Sequence, residues 1–277
     1  MEYKVLNSGV KMPMLGFGTF LNNGKTCQQS VCEAIQAGYR LIDTAEAYGN
    51  EKEVGEGIRL SGVSREELFI VTKVNFRSYE HTRETVLNSL KNLQVEYLDM
   101  VLLHWPFGNY YQAWRELEKL YDEGLIKAIG VSNFEPDQLV DLISFNRIKP
   151  AINQIETHLY CQRLNHHEWE KKYDVAHMAY APLGQGKANE MFSEKIVVNL
   201  AEKYQKTPAQ ILLRYQLQND VVVIPKSVHV ERIKENIDVF DFQLSQEEMQ
   251  LLKSLDKASA MIGNPENPSF VEMAMTW

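Results

Sequence analysis

Eight short runs of apolar, largely β-branched residues alternate with longer amphipathic stretches, and that alternation predicts an α/β fold of the (β/α)8 TIM-barrel class. Two further observations support it. The runs are almost continuously apolar, as the strands of a parallel sheet covered on both faces must be. No Gly/Ser/Pro-rich linker divides the 277 residues, an ordinary length for one barrel. An open, doubly wound sheet is the structural alternative.

In chain order the strands are expected at "LGFGT", "RLIDT", "LFIVTKV", "LDMVLLH", "IKAIGVSN", "AINQIE", "VAHMAYAPL" and "DVVVIPKS". Helix-like segments between them, such as "QSVCEAIQAG" and "YYQAWRELEKLYDEG", close on glycine, which supplies a left-handed cap. Between the seventh and eighth strands two helices fit, "EKIVVNLAEKYQ" and "TPAQILLRYQLQ". The second opens with Thr207-Pro208, and Gln210 completes a capping box. A further C-terminal helix, "SQEEMQLLKSLDK", is capped by Ser245 and Glu248. The tail "GNPENPSFVEMAMTW" reads as irregular, too rich in Pro and Asn for a helix, and is expected to lie across one end of the barrel.

A hydrophobic fraction of 44% with 24% charged residues is that of a soluble globular chain. The formal charge of −8 argues against nucleic acid or anionic membrane as a main partner, though a local basic patch for a small anion is compatible with it. No apolar run is long enough to span a bilayer, and the N-terminus lacks the basic-then-apolar order of a signal peptide. Cys27, Cys32 and Cys161 form no metal-type or CxxC spacing, which suits reduced thiols; no metal is expected. The expectation is a soluble cytoplasmic protein, with nothing demanding more than a monomer.

Each expected strand ends in a polar group: Thr19, Asp43, Lys73, His104, Ser132 with Asn133, Gln154, Tyr180 and Lys226. In a barrel these ends converge on one mouth, where catalytic groups sit. A lysine at a buried strand end needs a counter-charge, and Asp43 on the neighbouring strand supplies one. An ammonium beside a phenol favours the phenolate, so Tyr48 is expected to release its proton more readily than a free tyrosine of pKa about 10. His104 is placed to orient a carbonyl oxygen at the same spot. Such a group protonates an oxygen as charge develops on it, the requirement of carbonyl reduction. Taken singly, the residues have plainer readings: Asp43 a turn cap, Tyr48 a packed surface aromatic, His104 a satisfied strand terminus, Lys73 the Schiff-base lysine of a barrel lyase. A nicotinamide-binding sensor or interaction protein with little turnover is a third reading. No Ser–His–Asp arrangement is evident, so hydrolysis ranks low.

Hydride chemistry requires a cofactor. "GFGTF" lacks the third glycine of a dinucleotide fingerprint, so a Rossmann-type site is not indicated. Instead "IPKSVHVERIKEN" concentrates Lys226, Ser227, Arg232 and Lys234 where a helix is expected to start near Val230, and its amides favour a phosphate. A solvated helix start explains the same run without a ligand.

Almost from end to end the chain resembles the aldo-keto reductases, in their bacterial diketogluconate reductase and prostaglandin F synthase-like branch. The segments that carry the resemblance are "MPMLGFGT", "YRLIDTAEAYGNE", "LFIVTK", "VLLHWP", "IGVSNF", "NQIETH", "YAPLGQG" and "IPKSVHVERIKEN". It implies one barrel domain over residues 1–277 and NADPH-dependent reduction of an aldehyde or ketone. It implies Tyr48 as general acid, Asp43 and Lys73 as its tuning pair, and His104 as the orienting group. By the same resemblance Lys226, Ser227 and Arg232 bind the 2′-phosphate of NADPH, and Glu235 and Asn236 contact the adenine. Ser132, Asn133 and Gln154 hold the nicotinamide amide, Tyr180 stacks on its ring, Thr19 lies near the ribose, and Leu183, Gly184 and Gln185 cover the pyrophosphate. Three positions depart from the family's usual pattern: Val74-Asn75 replaces Leu-Trp, Phe20 replaces Trp, and Leu159 replaces Pro. The substrate pocket is therefore expected to be lined by Phe20, Tyr48, Asn75, His104, Trp105 and Trp277.

Overall fold

The structure, a computed structural model, describes residues 1–276; Trp277 lies outside the described residues. Eight parallel strands form one sheet: β3 (Phe17–Gly18), β4 (Leu41–Asp43), β5 (Phe69–Val74), β6 (Met100–Leu103), β7 (Ile129–Ser132), β8 (Ile152–Glu156), β9 (Ala176–Tyr180) and β10 (Val221–Val223), each paired with its neighbour in sequence. The seam closes between the first and last of them. Val223 N–H donates to Met14 at 2.9 Å, and Gly16 N–H to Val223 at 2.8 Å. Gly18 N–H reaches Pro225 at 3.1 Å, an approach that a Cβ would crowd, since it would stand 3.0 Å from the Ile224 carbonyl oxygen. The expected (β/α)8 fold is the observed one. Nearly every strand residue is buried, because the interior and the helical ring each take one face of the pleat.

The helices are α1 (Gly24–Gln36), α2 (Glu51–Ser61), α3 (Thr82–Leu93), α4 (Tyr110–Asp122), α5 (Pro136–Phe145), α6 (Leu164–Tyr173), α7 (Ala188–Phe192), α8 (Lys195–Tyr204), α9 (Pro208–Gln218), α10 (Val230–Ile237), α11 (Gln246–Lys253) and α12 (Pro268–Ala274). The caps read from sequence are formed. Thr207 and Gln210 make the reciprocal box at α9, and Ser245 and Glu248 the one at α11. Helices α8, α9 and α11 bury a satellite apolar cluster, which takes in Leu159 where a proline was the common residue. No helix among the described residues is long and apolar enough to cross a membrane. The three cysteines are free thiols, and burial pushes Cys27 up to about 12.

Three elements differ from expectation. Between β9 and β10 the short helix α7 precedes the two helices expected there, α8 and α9. An antiparallel hairpin, β1 (Tyr3–Val5) with β2 (Lys11–Pro13), precedes the barrel. It covers the N-terminal ends of the strands, where Asn7 Nδ2 donates to the carbonyls of Pro150 and Asp174, both at 2.8 Å. The tail is not wholly irregular, since α12 occupies Pro268–Ala274. Asn267 caps it by accepting from Ser269 N–H, and Pro268 sits at the first helical position, where it costs no hydrogen bond.

Candidate active site

At the C-terminal mouth the strand ends meet as one hydrogen-bonded chain. Asp43 closes β4 and Lys73 lies on β5, two neighbouring strands. Lys73 Nζ is 2.6 Å from Asp43 Oδ1 and donates to the Thr44 carbonyl at 2.8 Å. Asp43 Oδ2 accepts from Gln154 Nε2, across the barrel, at 2.8 Å. Both members of the ion pair are almost fully buried, so each depends on the other and on these donors. Tyr48 is carried on a short helical turn, Glu46–Tyr48, after β4, and its hydroxyl lies 3.4 Å from Lys73 Nζ. His104 follows β6 and packs edge-on to Tyr48, with ring centroids 5.7 Å apart. Its Nδ1 is buried with no hydrogen-bond partner among the described residues.

The electrostatics correct one expectation. Burial, reinforced by the Asp43 carboxylate, holds the Tyr48 phenol well above its ordinary pKa. Asp43, 2.6 Å from the Lys73 ammonium, sets a negative charge beside the positive one, and a carboxylate near a phenol disfavours the phenolate. Burial lowers Lys73 against the opposing effect of Asp43. Burial, then the Lys73 ammonium, holds His104 well below its ordinary value, so the imidazole is neutral at pH 7. Tyr48 is therefore protonated at pH 7.

The chain continues beyond the four. Ser132 Oγ donates to the Gln154 carbonyl at 2.8 Å, and Asn133 Nδ2 reaches Ser132 Oγ at 3.1 Å and the His104 carbonyl at 3.0 Å. Tyr180 donates its hydroxyl proton to Asn133 Oδ1 at 2.9 Å. Asn133 pays for this reach with a left-handed backbone, φ 63°. Thr19 Oγ1 donates to the Asp43 carbonyl at 2.9 Å. Gly184 and Gln185, next to Leu183, have φ 77° and 40°, a sharp turn above β9.

The basic segment lies beyond β10. Helix α10 begins at Val230, as expected. Lys226, Arg232 and Lys234 are exposed, and among the described residues none pairs with a carboxylate. Asn236 is buried. Glu235 is engaged locally, its Oε1 accepting from Thr207 Oγ1 at 2.7 Å.

Around Tyr48, Phe20 packs on its ring at 4.9 Å, and Trp105, which follows His104, stacks on Phe107 at 5.5 Å. Asn75 turns its Oδ1 to the Arg77 N–H, capping the next turn. Its own N–H donates to Glu46 Oε2 at 3.0 Å.

Comparison with known proteins settles the family. The profile of the Aldo/keto reductase family matches residues 14–257. The chain belongs to that family. It is 44% identical to the glyoxal reductase of Bacillus subtilis, over 96% of each chain. It is 41% identical to the methylglyoxal reductase of Escherichia coli, over 94% of this chain and 96% of that one. The crystal structure of an aldo-keto reductase from a Medee basin deep-sea metagenome library superposes with a TM-score of 0.93 at 40% identity, covering 96% of this chain and 99% of that one.

In this aldo/keto reductase two further buried groups order the mouth that sequence reasoning did not single out. Asn50 Nδ2 donates to the carbonyls of Thr19 and Asn22, at 2.9 and 2.8 Å, while its Oδ1 accepts from Thr44 Oγ1 at 2.9 Å. It ties the loop after β3 to the loop that carries Tyr48. Glu156 closes β8 on the same inward face as Gln154, two residues earlier, and that alternation is the signal that marks it.

Proposed function

We propose that this chain reduces the carbonyl group of an aldehyde or ketone to the alcohol, with NADPH as reductant and Tyr48 as general acid. The observation that carries the reading is the Tyr48 hydroxyl, 3.4 Å from a fully buried Lys73 that is itself held on Asp43. When bound, the nicotinamide supplies the hydride, which no side chain can donate. Tyr48 holds its proton in the resting site and delivers it to the carbonyl oxygen as negative charge develops there. Lys73 and Asp43 fix the phenol's position, and the ammonium stabilises the charge left on it. Neutral His104 donates an N–H to the same oxygen and sets its direction.

Ser132, Asn133 and Gln154 offer the donors and acceptors that a carboxamide needs, beside the flat face of Tyr180. The unpaired cations Lys226 and Arg232, with Ser227, fit a 2′-phosphate, which is why NADPH rather than NADH is proposed. Thr19 would stand near the ribose, Leu183, Gly184 and Gln185 over the pyrophosphate, and Glu235 and Asn236 by the adenine. Phe20, Asn75 and Trp105 would form the substrate pocket with Tyr48 and His104.

The reductases of glyoxal and methylglyoxal among its relatives put small dicarbonyl aldehydes first among candidate substrates. The test is NADPH oxidation by the purified protein over methylglyoxal, aromatic aldehydes, ketones and sugars, with the alcohol product measured. Stoichiometric alcohol and NADP+ are expected with at least one of them. No consumption with any would contradict the proposal.

A further inference from the structure

Glu156 is a carboxylate with no exposed surface, and the proposed reaction does not use it. It stands in register with Tyr180 at the mouth. Three successive backbone N–H groups of the C-terminal tail wrap it. Met261 donates to Oε1 at 2.5 Å, Ile262 to Oε2 at 3.1 Å and Gly263 to Oε2 at 3.4 Å. His158 Nε2 completes the set at 3.0 Å from Oε1. Burial alone would raise the carboxyl's pKa; His158 and the tail amides outweigh it and hold the group below the ordinary range.

The same three residues reach the substrate side. A Cβ on Gly263 would lie 2.7 Å from the Phe270 ring and 3.3 Å from the Trp105 ring. Phe270 packs on Trp105 at 5.4 Å, and Ala274 on α12 joins Trp105 and Phe107 in an apolar cluster separate from the barrel core. Lys187 Nζ, on the loop after Gly184, also reaches the Met261 carbonyl at 3.3 Å.

We propose that Glu156 is a positioning residue, a buried latch that pins residues 261–263 across the mouth and so fixes the Trp105–Phe270 wall for the part of a substrate remote from its carbonyl. The wall's role rests on the carbonyl-reduction reading; the latch does not. A buried carboxylate needs its donors, and those tail amides have no other partner among the described residues, so each holds the other in place. Glutamine at this position has the same shape but turns one acceptor into an NH2, which then faces an N–H. At least one side of the latch must open.

The test uses the full chain. In Glu156→Gln, hydrogen exchange at Met261, Ile262 and Gly263 should quicken about tenfold while the barrel strands keep their protection, the loss of one strong hydrogen bond. KM for a bulky aromatic aldehyde should rise by a similar factor with kcat within about twofold, because the wall binds ground and transition states alike; methylglyoxal kinetics should hardly move. Gly263→Ala, with Glu156 intact, should raise the same KM, and the double variant should show less than the product of the two effects. Unchanged exchange at 261–263, or equal KM shifts for small and bulky substrates, overturns the latch. If Glu156→Gln does not fold, a Gly263→Ala protein with parental KM for the bulky aldehyde overturns it. If the parent reduces no carbonyl, the exchange measurement still decides the latch and only the reaction falls.

Discussion

Replacing Lys73 by methionine removes an ammonium while keeping most of the side chain's length. Asp43 would retain Gln154 Nε2 at 2.8 Å but lose the cation at 2.6 Å. The carboxylate cannot escape to water, because its side chain is only 3% exposed. Breaking a buried pair by removing one partner costs ~3–5 kcal/mol, most of it the penalty of the charge left behind. Unfolding entropy is about 2.1 cal/mol/K per residue, so in a chain of this size each kcal/mol moves Tm by roughly 1.7 °C. Lys73→Met should therefore melt about 5–9 °C below the parent at pH 7. Asp43→Asn in the same chain removes the stranded charge, and the double variant should recover more than half of the loss. The assay is thermal unfolding of parent, single and double variants at one scan rate. A shift under about 2 °C for Lys73→Met, or a double variant melting no higher than it, would refute the argument that the pair is coupled in a dry site.

The remaining expectations concern the cofactor, the imidazole and the lysine. Arg232→Ala should weaken NADPH roughly tenfold and leave NADH nearly unchanged, since only the former carries a 2′-phosphate; fluorescence titration reads both, and equal losses would remove the assignment. His104 is neutral in the fold but takes a proton near pH 6.5 when unfolded, so the stability it contributes is present above that pH and lost as pH falls below it. His104→Gln should thus show a smaller drop in Tm between pH 7 and about 5.5 than the parent, and an equal drop would locate the effect elsewhere. Borohydride trapping with an aldehyde should leave Lys73 unmodified, because its Nζ is held by Asp43 and Thr44; an adduct there by mass spectrometry would restore the lyase reading.

Much of this site is legible in the sequence because strand ends in a barrel have one destination. Asp43 and Lys73 lie thirty residues apart, yet each is the polar residue that interrupts an apolar run, and neighbouring strands bring them together. Gln154 follows the same rule from the far side of the barrel. Acid strength is harder to read, because it depends first on burial and then on the Asp43 carboxylate, and burial is fixed only by the folded packing. The hairpin β1–β2 escaped notice because three-residue strands carry no alternation, and its stability comes from capping the barrel. In the tail, composition outweighed position: Asn267 and Pro268 look like helix breakers when counted, but they are the cap and first residue of α12. Glu156 gives no local hint of its tail partners, which lie more than a hundred residues away, though His158 is only two residues on.

The central claim is that Tyr48 supplies the proton in a carbonyl reduction, and Tyr48→Phe tests it most directly. The ring that packs between Phe20 and His104 is kept, so the fold and NADPH affinity should stay near parental. With a carbonyl that the parent reduces well, turnover should fall by about 10²–10⁴, the contribution of a positioned general acid. A variant that binds NADPH and still turns over within a few-fold of the parent would contradict the account.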